Sequence, residues 1–327
     1  MYQLCDQTIW TGRNDPELGA AGYLWHHVVE FLDLNQNIEP TKGQYIAILG
    51  FESDEGVRRN NGRIGAKDGP NQIRKAMAKL AVHFDPADLK IFDAGNVSVE
   101  DQDLERGQAE LAQKVSQLLN AGYFPILLGG GHEIAYGHGS GILDYLHQTG
   151  NQSLGIINID AHFDVRTYDS GPHSGSPFRQ LLGRNGQEKT EVKYFPIGIN
   201  PAANQPALFE FMGEAGQSFV LLEEIQENDR QWLFDRVDAF IERVDHLYIT
   251  LDLDAISGAF APGVSAPAAM GLSPDLASQL LKHIIPSNKV ISFDIAELNP
   301  KYDDGRTAKL AAEFIFQLVQ AQKIDQG

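Results

Sequence analysis

Three short segments gather residue types that seldom sit together without a chemical reason: Gly129-Gly130-Gly131-His132, Asp160-Ala161-His162-Phe163-Asp164 and Asp252-Leu253-Asp254. Asp160, His162 and Asp164 stand at i, i+2 and i+4 after the apolar run Leu154-Gly155-Ile156-Ile157-Asn158-Ile159, so a continued extended chain would project all three from one side. Asp252 and Asp254 repeat the pattern after Tyr248-Ile249-Thr250-Leu251. Four carboxylates drawn to one place oppose one another unless protons or cations intervene. A pair of divalent cations would relieve that repulsion, with Asp oxygens able to bridge them. His132 follows another apolar run, and the glycines before it let the backbone bend closely around a site. A lone histidine there would read as structural, but beside two carboxylate clusters it reads as a ligand. Cys5 is the single cysteine, so any metal is held by His, Asp and Glu, which favours harder cations such as Mn²⁺ over thiolate-bound zinc. A fourth segment, Ile291 to Glu297, supplies Glu297, which suits a cationic nitrogen group through charge-assisted hydrogen bonds.

The elements that must position these residues follow from a recurring pattern of short apolar runs, turn residues and longer helical stretches. The runs are Tyr45 to Phe51, Lys90 to Ala94, Phe124 to Leu128, Leu154 to Asp160, Val192 to Ile199, Ser218 to Leu222, His246 to Asp252 and Lys289 to Asp294. Several lack alternation, as strands buried on both faces do. Helical spacing predicts helices over Asn71 to Ala81, Asp103 to Asn120, Asp229 to Val244, Pro274 to Ile285 and Thr307 to Gln322. This βα rhythm predicts an α/β fold, a three-layer αβα sandwich on a mostly parallel eight-stranded sheet, with a closed (β/α)₈ barrel as the alternative. No repeat or linker divides the chain, so residues 1–327 read as one domain, with 1–40 an N-terminal helical extension packed on it. Each chemical segment then falls at the carboxyl end of a strand, where open α/β sheets bind ligands.

Lys and Arg number 26 and Asp and Glu 44, a formal charge of −18. That charge repels polyanions and acidic membrane surfaces, so neither nucleic acid nor membrane is an expected partner. No apolar run is long enough for a span, and the start lacks the pattern of a secretory signal. With one cysteine, the expected location is the cytoplasm.

The ordered set Gly-Gly-Gly-His132-Glu, Asp160-Ala-His162-Phe-Asp164, Asp252-Leu-Asp254 and Asp294-Ile-Ala-Glu297-Leu-Asn-Pro resembles the ureohydrolase family of arginase, agmatinase and formimidoylglutamase. The resemblance implies the arginase-like sandwich and two Mn²⁺ ions per subunit. It assigns one ion to His132, Asp160, Asp164 and Asp252, and the other to Asp160, His162, Asp252 and Asp254. Trp10-Thr11-Gly12-Arg13-Asn14-Asp15, Trp25-His26-His27-Val28-Val29, Asp164-Val165-Arg166 and Ser174-Gly175-Ser176-Pro177-Phe178-Arg179 resemble the formimidoylglutamase branch. That branch implies hydrolysis of N-formimidoyl-L-glutamate to L-glutamate and formamide in histidine degradation, with Asp164 as proton acceptor and Glu297 orienting the amidinium. Arg166 would suit a substrate carboxylate; Arg63, Arg179, Arg58 and Arg59 are further candidates. Ser174 stands where arginases and agmatinases carry a proton-transferring histidine, so it reads as a substrate-contacting residue and the neighbouring His173 as a candidate replacement. The alternatives are an agmatinase or guanidino-acid ureohydrolase releasing urea, and a non-catalytic metal-binding protein. A homo-oligomer is compatible with the family.

Overall fold

The computed structural model describes residues 1–41, 43–150, 152–185 and 190–322. Its ten strands are β1 (Tyr2–Gln3), β2 (Val29–Phe31), β3 (Gln44–Glu52), β4 (Leu89–Ser98), β5 (Phe124–Leu128), β6 (Leu154–Ile159), β7 (Val192–Ile199), β8 (Val220–Leu221), β9 (His246–Asp252) and β10 (Val290–Ala296). They form one sheet in the order β1-β4-β3-β5-β10-β9-β6-β7-β8, with β2 also on β4. Every pairing is parallel except β1 with β4. The order runs from one free edge to the other and does not close, which excludes the barrel.

All eight predicted strands are present, as β3 to β10. The two additions lie in the N-terminal segment, expected to be helical. Instead residues 1–40 contain short 3₁₀ turns and the strands β1 and β2. Both pair with β4, β1 antiparallel and β2 parallel. Trp10 fastens the segment further, its indole N–H donating to Asp93 Oδ2 at 2.6 Å. Asp93 is also gripped by the fully buried Arg74 at 2.8 Å.

Strand alternation distributes the core between two layers. Ile46 and Ile48 of β3 join the cluster holding Ile73, Leu281 and Phe314. Ala47, Leu49 and Phe51 join the opposite one with Leu111, Val115 and Ile142. Helices Gly69–Met77, Pro274–Ile284 and Arg306–Ala321 therefore cover one face, and Leu104–Asn120 and Ile134–Thr149 the other. The helix Ile134–Thr149 has no polar stripe because most of it is buried. Its glycines admit the neighbouring helix: a Cβ on Gly141 would lie 2.5 Å from the Ala112 carbonyl oxygen. Gly141→Ala is expected to destabilise the fold by about 1–3 kcal/mol through overpacking, although Ala is the better helix former. A lower urea midpoint at unchanged m-value is the readout.

Among the described residues, no helix is long and apolar enough to cross a membrane.

Candidate active site

The four central strands β5, β10, β9 and β6 are adjacent and parallel, so their carboxyl ends lie side by side. His132 follows β5, Glu297 follows β10, Asp252 ends β9 and Asp160 follows β6. The glycine run is required here. Gly130 N donates to Phe51 O at 2.9 Å, and a Cβ on it would overlap the Ser53 carbonyl oxygen.

Alternation along a continued strand is not what gathers the carboxylates. β6 ends at Ile159 and the chain turns, with His162 N donating to Asp160 Oδ1 at 2.7 Å. Asp254 N donates to Asp252 Oδ1 at 2.7 Å in the same way, within a 3₁₀ turn. Asp164 then takes φ +47° and Glu297 φ +70°. Such left-handed backbone is costly for residues with side chains and is held by its surroundings.

The result is a buried cage. His132 Nδ1 lies 3.2 Å from Asp160 Oδ2, 3.0 Å from Asp164 Oδ2 and 3.1 Å from Asp252 Oδ2. His162 Nδ1 lies 3.1 Å from Asp254 Oδ2 and 3.6 Å from Asp160 Oδ1. The ligand atoms of His132, Asp160, Asp164 and Asp252 all fall within 4.8 Å of one another, as do those of Asp160, His162 and Asp254. Asp160 belongs to both groups, one oxygen facing each. Asp252 joins only the first, a narrower grouping than the resemblance implied.

These residues fit divalent cations for a reason visible in the protonation of His132. Its Nε2 lies 2.9 Å from Thr250 Oγ1, and the Thr250 hydroxyl is spent donating to Asp294 Oδ1 at 2.6 Å. The threonine oxygen must therefore accept, which puts a proton on Nε2 and leaves Nδ1 as the ring atom that can offer a lone pair to the cage. Nδ1 makes no hydrogen bond although three carboxylate oxygens surround it. Four lone-pair atoms facing one point need a cation there. Without one, protons must serve. Burial, then the neighbouring carboxylates, raise Asp252 well above the usual carboxylate range and Asp164 up to about 6. His162 is pulled above the imidazole range by Asp254 foremost.

Two consequences follow. Because Asp164 and Asp252 must lose protons to bind a cation, Mn²⁺ affinity is expected to rise from pH 5 to pH 8, measurable by titration at fixed ionic strength. Because Thr250 and Asp294 fix the His132 tautomer, Thr250→Val is expected to weaken Mn²⁺ affinity roughly 10–100-fold, read against a competing chelator. Asp294 itself is held by the Tyr248 hydroxyl and by His138 Nδ1 at 2.6 Å.

The cage opens into a cleft of ≈ 400 Å³ lined by His162, Asp164, Arg166, Ser174, Asp252, Asp254 and Glu297, with Asn60, Arg63 and Asn204 among its walls. Glu297 Oε1 accepts the His132 backbone N–H at 2.9 Å, while Oε2 is buried without a partner. Burial and then Glu133 push Glu297 up to about 8. Arg166 Nη1 donates to Asn60 Oδ1 at 2.7 Å, and Asn60 Nδ2 donates to Ser174 Oγ at 3.1 Å.

His173, the expected stand-in for the proton-transferring histidine, is not brought to the cleft. Its Nε2 lies 3.0 Å from Thr167 O, and its Nδ1 accepts Gly175 N–H at 3.2 Å. Both ring nitrogens are used in shaping their own loop. Arg58 and Arg59 are likewise committed to Glu55, and Arg59 also to Glu105. Arg179 donates to Val165 O and lies over the Phe211 ring.

Asn60 and Asn204 are site residues that sequence reasoning missed. Asn204 Oδ1 accepts Phe163 N–H at 3.0 Å and Nδ2 donates to Ala161 O at 2.9 Å, so one side chain clamps the backbone on both sides of His162. An isolated asparagine gives no such signal; both acquire meaning only through partners distant in sequence.

An open parallel sheet with this carboxylate and histidine cage at its carboxyl edge is the arrangement of a metal-dependent hydrolase. The pattern of the Arginase family matches residues 44–320, and the chain belongs to that family. It is 40% identical over 323 residues to the formimidoylglutamase of Clostridium tetani, covering 97% of this chain and 95% of the relative. The formiminoglutamase of Trypanosoma cruzi, solved with Mn²⁺, superimposes with a TM-score of 0.75 at 28% identity, covering 85% of this chain and 93% of that one. The formimidoylglutamase of Bacillus subtilis superimposes with a TM-score of 0.82 at 22% identity over 97% of this chain and 96% of that one, a likeness of fold.

Proposed function

We propose that this chain hydrolyses N-formimidoyl-L-glutamate to L-glutamate and formamide, the reaction of histidine degradation, using two Mn²⁺ ions. The observation that carries the reading is the pairing, in one cleft, of the buried cage with Arg166, a cation with no carboxylate partner among the described residues. An amidine substrate bearing carboxylates answers both features. The near full-length relatives support the same substrate.

His132, Asp160, Asp164 and Asp252 would hold one ion and Asp160, His162 and Asp254 the other. When bound, the ions supply Lewis-acid charge that makes water nucleophilic near neutral pH and offsets the negative charge of the transition state. Glu297 Oε2, lacking a protein partner, accepts the amidinium N–H groups and aims the amidine carbon into the cage. Asp164, at the wall of both cage and cleft, takes the proton released by the attacking water. Arg166 holds a substrate carboxylate, steadied by Asn60, which links it to Ser174. The described residues form a single unit in which the N-terminal strands β1 and β2 brace β4.

The test measures formamide, urea and ammonia separately. Mn²⁺-dependent formamide release from N-formimidoyl-L-glutamate is expected, with no urea from agmatine or guanidino acids. Urea release at comparable rates would replace this reading with the ureohydrolase alternative, and no turnover with Mn²⁺ bound would favour a non-catalytic cage.

A further inference from the structure

A second guanidinium faces the same cleft. Arg63 donates from Nε to Ser265 O at 2.8 Å and from Nη2 to Val264 O at 2.5 Å. Its guanidinium carbon lies 4.2 Å over the centre of the Tyr302 ring. The segment is pinned as well, since Asn299 Nδ2 donates to Arg63 O at 2.8 Å and Arg63 N donates to Ser265 Oγ at 2.9 Å. Among the described residues no carboxylate pairs with it, in a chain of formal charge −18. Two backbone carbonyls and an aromatic face fix the plane of the charge and leave its Nη1 amine for a ligand. A half-buried arginine held this firmly, with its charge unanswered, is built to receive an anion entering the cleft.

Resting on the formimidoylglutamate reading, we propose that Arg63 receives the side-chain carboxylate of the substrate, while Arg166 receives the carboxylate beside the amidine. The division follows from connectivity. The α-carboxylate is attached to the carbon that bears the amidine nitrogen, so its partner must be fixed close to the cage; Arg166 is two residues from Asp164. The side-chain carboxylate lies farther along the substrate. Arg63 is anchored on Val264, Ser265 and Tyr302, segments that contribute no cage residue. Two guanidiniums held by different segments thus make the cleft specific for a dianion, and a monoanionic amidine leaves one of them against substrate without a partner.

The test compares N-formimidoyl-L-glutamate with the N-formimidoyl derivatives of L-glutamine and of L-isoglutamine, each neutral at one end. The Mn²⁺-loaded wild type is expected to prefer the glutamate derivative over both by at least ~100-fold in kcat/KM. Arg63→Gln is expected to bring the glutamate derivative down to within about 3-fold of the glutamine derivative and to retain the preference over the isoglutamine one. Arg63→Lys, keeping charge without the fixed fork, should restore part of the discrimination, which a merely structural role would not. Calorimetry of L-glutamate and L-glutamine binding to the Mn²⁺-loaded proteins gives a readout independent of turnover: R63Q should lose the preference for glutamate. If R63Q keeps the wild-type ratio between glutamate and glutamine forms, the assignment of Arg63 is overturned. If the wild type releases no formamide, the functional reading fails, and the glutamate-against-glutamine binding comparison still decides what Arg63 recognises.

Discussion

Asp160→Ala is expected to abolish Mn²⁺ binding at both positions and to lower formamide release by at least ~10³-fold, about 4 kcal/mol of lost transition-state stabilisation. Asp160 is the residue shared by the two ligand groups, with Oδ2 towards His132 and Oδ1 towards His162. Its removal takes an anion from each group and leaves the remaining carboxylates and imidazoles to pair among themselves. Asp254→Ala should behave differently. Asp254 belongs to the His162 group alone, so this variant should keep roughly one ion per chain while losing most activity, because the Lewis-acid charge that the second ion would supply is gone. Metal content by emission spectroscopy separates the cases. Thermal stability supplies a second measure: saturating Mn²⁺ at about 100 times the Kd of each position stabilises the wild type by roughly 2.7 kcal/mol per bound ion, and that increment should vanish in D160A. Retention of two ions by D160A would refute the assignment of Asp160 to both ligand groups.

The candidate ligands are legible in the sequence for a compositional reason. Asp and His side by side after an apolar strand are costly to bury and have few uses besides cation binding. The path by which they meet was not legible. Asp160 and Asp252 each turn the chain through their own Oδ1 rather than extending it, and the left-handed backbone of Glu297 has no marker in its residue type. The interior strands β5, β6, β9 and β10 declared themselves because burial on both faces demands unbroken apolar runs. β1 and β2, two and three residues long, carry no such demand, and their pairing depends on β4 far along the chain. Helix Ile134–Thr149 escaped for the opposite reason: it is too buried to be amphipathic, and its glycines, usually breakers, are what let it pack. His173 shows the limit of reasoning by adjacency. Next to Ser174 in sequence, its ring turns back on Thr167 and Gly175, while Asn60, more than a hundred positions away, supports Ser174.

Glu297→Gln should leave Mn²⁺ content unchanged and lower kcat/KM for N-formimidoyl-L-glutamate by roughly 10²–10³-fold, about 3–4 kcal/mol. The amide oxygen can replace Oε1 in accepting the His132 backbone N–H, so the glycine-rich turn and His132 should stay in place. What changes is the other arm. Oε2 is a buried acceptor without a protein partner, and an amide nitrogen there presents N–H groups to a substrate that also presents N–H groups. The loss then combines a missing charge-assisted hydrogen bond with an opposed donor in a site shielded from water, the circumstance in which unmatched polar groups cost most. Burial and Glu133 raise this carboxyl up to about 8 in the metal-free protein, so below that pH it carries a proton and cannot accept from an amidinium. Divalent cations bound in the adjacent cage would favour its ionised form and move that limit downward. The acid limb of the kcat/KM profile should therefore lie below pH 8 in the Mn²⁺-loaded enzyme. Because loss of the Glu297 proton contributes to that limb, E297Q should flatten it over the range where Mn²⁺ remains bound. An unchanged kcat/KM, or a loss traced to missing metal, would show that Glu297 supports the cage and does not touch the substrate.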